Sequence, residues 1–185
     1  MTIPNHAKTV FEGVLFDVYQ WQQELFDGTT TTFEAGIKTP VCAIFAITPE
    51  KKILYLKQEQ PNRPLYYSIP AGRIEQNEKP IQAVQRELLE ETGYNVDTIQ
   101  PFHTVLEEGK IIQEETYFIG YNAQKITQQN LDGGEKIEIL SASFEEFCQL
   151  IRDPNFLIHP DIKFLFYEAL LDKQKMDKLR NTFLL

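Results

Sequence analysis

The chain has 185 residues, of which 42% are hydrophobic and 24% charged, and its formal net charge is −9. This length and composition predict one main globular domain with enough apolar residues to bury a core. An acidic surface repels a nucleic-acid backbone, so the charge argues against DNA or RNA as a partner. A small phosphorylated substrate stays compatible with it, because a divalent cation can reverse the local field.

The sequence also predicts a cytoplasmic protein that does not bind membranes. The first residues, MTIPNHAKTVFEG, lack the basic start and apolar run of a signal peptide. No stretch approaches the roughly 18 consecutive apolar residues of a membrane-spanning helix. Cys42 and Cys148 stand singly within apolar runs, which is typical of buried free thiols in a reducing compartment.

Residues 1–39 predict a small antiparallel strand region. Apolar and polar residues alternate between Val14 and Val18, and again near Trp21, as in half-buried strands. Asp27 and Gly28 form a hairpin signal. Two or three short strands are expected, with Pro40 as the boundary to a second region, residues 40–185.

Residues 40–185 predict strands mixed with helices. Pro80 and Gly93 stand where a helix over residues 80–92 would begin and end. The other expectations are strands at 41–47 and 53–60, loops at 61–70 and 71–78, three strands between 94 and 143, an acidic loop at 107–115, and helices at 144–153 and 160–174. This pattern predicts an α/β fold in which a mixed sheet is covered on its faces.

The predicted helix carries three carboxylates on one side. At about 100° per residue, Glu87, Glu90 and Glu91 fall within an arc of about 100°. Leu88, Ile81 and Val84 would form a separate apolar stripe, while Ala83 and Pro80 would leave room beside the carboxylates. Arg86 precedes Glu90 by four residues and can pair with it.

These carboxylates have two interpretations. Charged residues in such a run usually form a solvated helix face with ion pairs. Here, however, three carboxylates face one basic neighbour, and a glycine loop bearing Glu78 precedes the helix. Hard cations such as Mg²⁺ take carboxylate oxygens as ligands, so a metal site would explain the repulsion that the chain tolerates.

The segment from Gly72 to Tyr94 resembles the signature of the Nudix hydrolases. Gly72, Glu78, the run Arg86-Glu87-Leu88-Leu89-Glu90-Glu91-Thr92 and Gly93 match its fixed positions, and only Tyr94 replaces an aliphatic residue. The resemblance implies an α/β/α sandwich and hydrolysis of a nucleoside diphosphate linked to another moiety. It implies Mg²⁺ or Mn²⁺ held by Glu87, Glu90, Glu91 and the carbonyl of Ala71. Arg86 would orient a glutamate, and Glu78 would tie the loop to the helix.

More weakly, residues 8–170 resemble the branch that contains ADP-ribose and nucleoside-diphosphate-sugar pyrophosphatases. The similarity includes LKQEQ and IPAG before the motif. In that branch the N-terminal strands are exchanged across a homodimer and help to form the nucleoside pocket. Trp21 is therefore a candidate to stack on the base, together with Tyr19 and Phe26, although ordinary packing is the alternative. Arg63 is the candidate substrate-binding arginine.

The general base of the reaction is predicted outside the motif, as the resemblance implies. The acidic turn NLDGGEKIEIL contains Glu135, the first candidate, with Glu138 and Asp132 behind it. The acidic loop at 107–115 is another possible source. Two other functions remain open: cleavage of a dinucleoside polyphosphate or another nucleotide, and a Nudix fold that only senses nucleotides.

Overall fold

The computed structural model describes residues 3–184. It contains twelve strands and four helices in mixed order. The strands are β1 (Lys8–Glu12), β2 (Phe16–Glu24), β3 (Thr30–Lys38), β4 (Val41–Ile47), β5 (Ile53–Gln60), β6 (Arg63–Ser68), β7 (Ala71–Arg73), β8 (Tyr94–Asn95), β9 (Thr98–Glu108), β10 (Ile111–Tyr121), β11 (Gln124–Lys125) and β12 (Lys136–Ala142). The helices are α1 (Pro80–Thr92), α2 (Phe144–Leu150), α3 (Pro160–Leu171) and α4 (Lys173–Phe183).

A mixed sheet organises the chain around β10. Its main path runs β1-β2-β3-β10-β4-β5-β12, with β6 beside β5, β7 beside β4 and β9 beside β10. The pairing of β10 with β4 is parallel from Glu115–Val41 to Tyr121–Ile47. The neighbouring pairings of β10 with β9 and of β5 with β12 are antiparallel. The predicted mixed sheet is therefore confirmed.

Strand β4 divides the core into two layers. Cys42, Ile44 and Ala46 pack in a cluster with α1, and Ala43 and Phe45 pack in a second cluster with the C-terminal helices. Alternate residues of a strand point to opposite faces, and this strand is buried on both. The α/β/α arrangement follows, and it places α1 on one face of the sheet and the C-terminal helices on the other.

The N-terminal strands form the expected antiparallel meander. β2 and β3 pair from Phe16–Lys38 to Glu24–Thr30. At their turn Gly28 has φ 82°, and the Asp27 carboxylate accepts from the Thr29 amide at 3.0 Å. β3 then joins β10 in parallel at Gly36 and Ile37, so the meander continues the main sheet. The two-region division at residue 39 stays a prediction, and residues 1, 2 and 185 lie outside the described residues.

Several sequence-based boundaries were wrong. The predicted loop at 61–70 contains β6, and β7 begins the predicted loop at 71–78. Tyr66 and Tyr67 belong to a strand that pairs with β5, which the three prolines of residues 61–70 obscured. The predicted acidic loop at 107–115 is a tight β9–β10 hairpin, in which Glu108 pairs with Ile112.

The C-terminal helices also differ from the prediction. α2 ends at Leu150 and α3 at Leu171, each three residues earlier than expected. A further helix, α4, follows α3 because Asp172 caps it by accepting from the amides of Gln174 and Lys175. Phe183 of α4 is fully buried in the aromatic cluster around Phe45. Among residues 3–184, every helix is too short or too polar to cross a membrane.

Candidate active site

The helix α1 has the predicted bounds, Pro80–Thr92, because capping interactions are present at both of its ends. The Lys79 amide donates to the Gln82 side chain at 3.1 Å at the start. At the end Gly93 adopts the left-handed conformation with φ 73°, and its amide donates to the Leu89 carbonyl at 2.8 Å. A Cβ at Gly93 would also lie 2.2 Å from the Thr127 carbonyl oxygen. Glycine is therefore required both for the backbone conformation and for the lack of space for a side chain.

The buried face of α1 differs partly from the predicted stripe. Val84 and Leu88 are buried as expected, but Ile81 is 41% exposed and Ala83 is fully buried. The core-facing arc is therefore rotated toward the carboxylates, and Glu91 lies within it at 7% exposure. Ala83 consequently packs in the core with Val84 and Leu88 and does not itself border open space.

Arg86 is the centre of an ion-pair network that joins α1 to the preceding loop. Its guanidinium donates to both carboxylate oxygens of Glu78, at 3.1 and 2.9 Å, and to the Arg73 carbonyl at 3.0 Å. One nitrogen, Nη1, also donates to Glu87 at 2.7 Å and Glu90 at 3.2 Å. Arg86 thus ties the loop to the helix and holds two of the predicted metal ligands.

Glu91 connects α1 to the strand before the glycine. Its Oε2 accepts from the Ala71 amide at 3.0 Å, and its backbone carbonyl accepts from the Gln129 side chain at 2.7 Å. Gln129 Nε2 also donates to the Ile137 carbonyl at 3.2 Å. The end of α1, strand β7 and the start of β12 are thereby joined at one point.

Gly72 is necessary because the Glu87 carboxylate lies over it. A Cβ at residue 72 would lie 1.9 Å from Cδ of Glu87 and 2.0 Å from its Oε1. Such distances are far below van der Waals contact, so any side chain would displace the carboxylate. The glycine therefore acts through the position of Glu87, a role that the sequence spacing could not reveal.

Two of these carboxylates are held at an electrostatic cost. Burial raises the pKa of Glu87, against the opposing effect of Arg86. Burial also raises the pKa of Glu91 well above its usual range, and the neighbouring carboxylates Glu87 and Glu135 add to this rise. Both shifts mean that the charged forms are disfavoured here. A bound divalent cation would offset that cost.

The donor set fits a hard divalent cation in its chemistry. Glu87, Glu90 and Glu91 offer carboxylate oxygens from one rigid helix, beside the exposed residue Ala71. Within residues 3–184, however, no three such side chains already converge on a single point. The reason is visible in the contacts: Arg86 engages Glu87 and Glu90, while Glu91 faces the Ala71 amide. Their convergence would need side-chain rotation.

Glu135 lies on the loop before β12, within electrostatic range of the carboxylates. Its charge contributes to the raised pKa of both Glu87 and Glu91. Its loop is anchored at Asn130, whose amide donates to the Glu90 carbonyl at 2.9 Å. Of the other candidates, Glu138 instead pairs with Lys57 at 3.0 Å, and the Asp132 amide donates to Glu135 at 3.4 Å.

Each of the two predicted substrate-binding residues lies against an aromatic ring of the same chain. Trp21 is 6% exposed, packs against Phe33 and donates through Nε1 to Gln23 at 3.0 Å. In the single chain its ring is thus used in packing, and a base-stacking role stays a prediction. Arg63 is exposed and lies over the Tyr66 ring, with its guanidinium carbon 4.2 Å from the ring centroid.

A large cavity opens beside Ala71, one of the candidate metal ligands. It measures about 1080 Å³ and is lined by Ala71 and Ser68 on one side. Strands β9 and β10 supply another wall, and the segment 154–167 supplies the third. This volume suits a small-molecule substrate, which sites of this kind hold in concave, partly apolar surroundings.

Sequence reasoning missed a polar group that borders the site. Gln58 and Tyr66 are buried, and the Tyr66 hydroxyl donates a hydrogen bond to Gln58 Oε1 at 3.1 Å. Gln58 Nε2 in turn donates to the Ser68 hydroxyl at 2.6 Å. Burial raises the pKa of Tyr66, and the negative charges of Glu91 and Glu135 add to the rise, so this group lies within electrostatic range of them. Its members lie on β5 and β6, and the sequence gives no signal of it because the prolines of residues 61–70 predict a loop where β6 lies.

Comparison with known proteins gives the family. The model of the NUDIX domain matches residues 38–161. A relative from Bacillus subtilis (strain 168), named ADP-ribose pyrophosphatase, is 28% identical over 145 residues, which is 77% of this chain and 78% of that protein. A GDP-mannose pyrophosphatase from Yersinia enterocolitica is 34% identical over 86 residues, covering 45% of this chain and 44% of that protein.

Two further similarities each cover most of the chain. A protein from Bacillus methanolicus named methanol dehydrogenase activator is 27% identical over 150 residues, covering 80% of this chain and 81% of that protein. A solved structure titled ADP compounds hydrolase has a TM-score of 0.72 at 16% identity, over 92% of this chain and 94% of that one, which supports the fold alone. Together with the matched domain, these findings show that the chain belongs to the Nudix family and is a pyrophosphohydrolase.

Proposed function

We propose that this protein hydrolyses the pyrophosphate bond of a nucleoside diphosphate linked to another moiety, such as ADP-ribose or a nucleoside-diphosphate sugar. The products would be a nucleoside monophosphate and a sugar phosphate. The observation that carries the proposal is the row of Glu87, Glu90 and Glu91 on α1, joined through Glu91 to Ala71, which lines a cavity of about 1080 Å³. Relatives named ADP-ribose pyrophosphatase and GDP-mannose pyrophosphatase favour this substrate class.

Mg²⁺ or Mn²⁺ is the proposed cofactor. Glu87, Glu90, Glu91 and the carbonyl of Ala71 would hold it, in agreement with the oxygen chemistry of these residues. When bound, the ion would neutralise pyrophosphate oxygens and lower the pKa of an attacking water. The protein's own part is to position these ligands, which Arg86 does for Glu87 and Glu90 and Gly72 does by leaving room for Glu87.

Glu135 is the proposed general base, which accepts the proton of the attacking water. Replacing Glu135 by glutamine is expected to lower kcat by about 10²- to 10⁴-fold, the usual contribution of a positioned base. Glu138→Gln is the matched control, because Glu138 lies three residues away but pairs with Lys57. Steady-state kinetics at saturating metal would measure both. Equal losses in the two variants would remove Glu135 from this role.

A substrate panel tests the proposed function directly. The purified protein would be incubated with Mg²⁺ and then Mn²⁺ against ADP-ribose, nucleoside-diphosphate sugars, dinucleoside polyphosphates, NADH and nucleoside triphosphates, and the products identified. Release of a nucleoside monophosphate from the first two classes, abolished by EDTA, is the expected result. Preferred cleavage of dinucleoside polyphosphates would make these compounds the substrate class instead. Binding without any turnover would favour a nucleotide sensor.

A homodimer is the proposed assembly. The turns between the N-terminal strands expose large apolar side chains, with Val14 83% exposed and Phe26 fully so, and such patches are usually covered by a partner surface. We expect sedimentation equilibrium to give twice the chain mass of 21.5 kDa. The double change Val14→Glu and Leu15→Glu should shift the mass toward the monomer. A wild-type protein that sediments as a monomer at micromolar concentration would contradict the proposal.

A further inference from the structure

Strand β10 changes the character of its inward-facing residues along its length. Gln113, Glu115, Tyr117 and Ile119 lie two apart and therefore share a face of the sheet. Ile119 and Tyr117 are buried in the aromatic core, whereas Gln113 and Glu115 are only half-buried and line the cavity. The core thus gives way to a polar cavity wall at Glu115.

The Glu115 carboxylate is held in a defined orientation. The Tyr117 hydroxyl donates to Glu115 Oε2 at 2.7 Å, and the same hydroxyl accepts from the His159 amide at 3.2 Å. His159 is the residue that caps α3, so strand and helix meet at this hydroxyl. One carboxylate oxygen of Glu115 is thereby occupied, and its second oxygen can accept hydrogen bonds from a molecule in the cavity.

The wall lies at a fixed distance from the candidate metal ligands. Tyr117 pairs with Ala43 on β4, and Ala43 pairs with Ala71 on β7. Neighbouring strands lie about 4.8 Å apart, so the backbone of Ala71 lies about 10 Å from that of Tyr117. A sugar ring joined to a phosphate can span that distance, with its phosphate at Ala71 and its ring beside Glu115.

The charge of the cavity favours a neutral, hydroxyl-bearing group there. Its lining includes the carboxylates of Glu107, Glu108, Glu115 and Asp161 against the two lysines Lys38 and Lys163. Lys163 already donates to the Asp153 carbonyl at 3.1 Å. A carboxylate acceptor surrounded by further acids repels phosphate and binds hydroxyl donors.

The geometry points to Glu115 as a specificity-determining residue that accepts hydrogen bonds from the hydroxyl groups of a sugar ring in this cavity. This inference rests on the proposed function and names how that site selects its substrate. Either sugar of a nucleoside-diphosphate sugar has the required chemistry: the ribose of the nucleoside, or the sugar on the second phosphate. Tyr117 is a positioning residue for Glu115, because its hydroxyl orients the carboxylate.

Kinetics of a matched pair of variants test this role. In Glu115→Gln the KM for ADP-ribose is expected to rise about tenfold while kcat changes little, because a charged acceptor is lost and the reacting groups are untouched. Glu145→Gln removes the same charge from an exposed glutamate on α2, outside the cavity lining, and should leave KM nearly unchanged. Glu115→Asp, which keeps the charge but shortens the side chain, should fall between wild type and Glu115→Gln. Thermal melts of each variant show that the fold is intact.

Product inhibition distinguishes the two sugars. AMP and ribose 5-phosphate would each be titrated as inhibitors of wild type and Glu115→Gln. The product whose inhibition constant rises about tenfold carries the sugar that Glu115 binds. Unchanged constants for both products, or an equal rise in KM for Glu145→Gln, would overturn the inference.

The inference and the proposed function can fail separately. If the wild type hydrolyses ADP-ribose but Glu115→Gln behaves like Glu145→Gln, only the role of Glu115 is lost. If the wild type hydrolyses nothing in the panel, calorimetry of AMP and ribose 5-phosphate binding replaces kinetics. About tenfold weaker binding of one product to Glu115→Gln would then still support the subsite, and equal binding would reject it.

Discussion

Replacing Glu90 or Glu91 by glutamine is expected to lower kcat by about two orders of magnitude or more, with the fold preserved. Each change removes one negative charge from the proposed metal site while keeping the side-chain shape. Glu90 is partly exposed and pairs with Arg86, so its loss should affect stability little. The measurement is kcat at saturating Mg²⁺, together with the affinity for Mn²⁺ by calorimetry.

Glu91→Gln makes the sharper test, because function and stability should respond in opposite ways. The wild-type carboxylate is 7% exposed, and burial raises its pKa well above the usual range. Without metal, a neutral amide removes that buried charge and still accepts from the Ala71 amide. The metal-free variant should therefore melt at the same temperature as the wild type or higher, while its activity collapses.

An exposed helical glutamate supplies the control for both variants. Glu145 of α2 is 61% exposed and pairs with Arg180 at 3.0 Å, far from the motif in sequence. Glu145→Gln should leave kcat and metal affinity unchanged. Full activity of both Glu90→Gln and Glu91→Gln at saturating Mg²⁺ would refute the assignment of these carboxylates to the metal.

Replacing Gly72 by alanine is the second change with a large expected effect. The added Cβ would overlap the Glu87 carboxylate, at 1.9 Å from its Cδ, so the carboxylate must move. Its hydrogen bond from Arg86, now 2.7 Å long, would be lost or stretched. We expect metal affinity to fall by about tenfold or more, the usual cost of disturbing a ligand's support, and activity to fall with it.

Gly109→Ala is the matched control for this backbone change. Gly109 lies in the β9–β10 hairpin, and a Cβ there would have its nearest neighbour at the ordinary distance of 3.6 Å. The same added methyl group should therefore leave Mn²⁺ binding and kcat near their wild-type values. Wild-type metal affinity in Gly72→Ala would show that the position of Glu87 does not depend on the glycine.

The helix that carries the site could be predicted from the sequence because its signals are local. Pro80 and Gly93 act within one turn of the ends of α1, and the structure has the helix at Pro80–Thr92, as predicted. Arg86 and Glu90 likewise lie four residues apart on the same helix, and their predicted ion pair is present at 3.2 Å. The face that the helix buries depends on the sheet beneath it, and there Ile81 and Ala83 had been assigned wrongly.

Elements whose signals depend on distant partners were predicted poorly. β6 contains Pro64 and reads as a loop, yet it forms because β5 offers a pairing edge. α4 is strongly polar, and its one fully buried residue, Phe183, is ordered by an aromatic cluster drawn from α2, α3 and β4. In both cases the stabilising contacts come from residues far away in the chain, so a local pattern contains little trace of them.

The sequence by itself determined the family motif, the mixed α/β class and the identity of the carboxylates, because these follow from residue type and short-range spacing. Tertiary structure alone decided what surrounds them: the Glu87 carboxylate over Gly72, the burial of Glu91, and the cavity beside Glu115. Burial, desolvation and cavity shape arise only when strands distant in sequence are brought side by side. The residue types of the candidate site therefore follow from short-range sequence. The burial and the cavity around them depend on the packing of the whole domain.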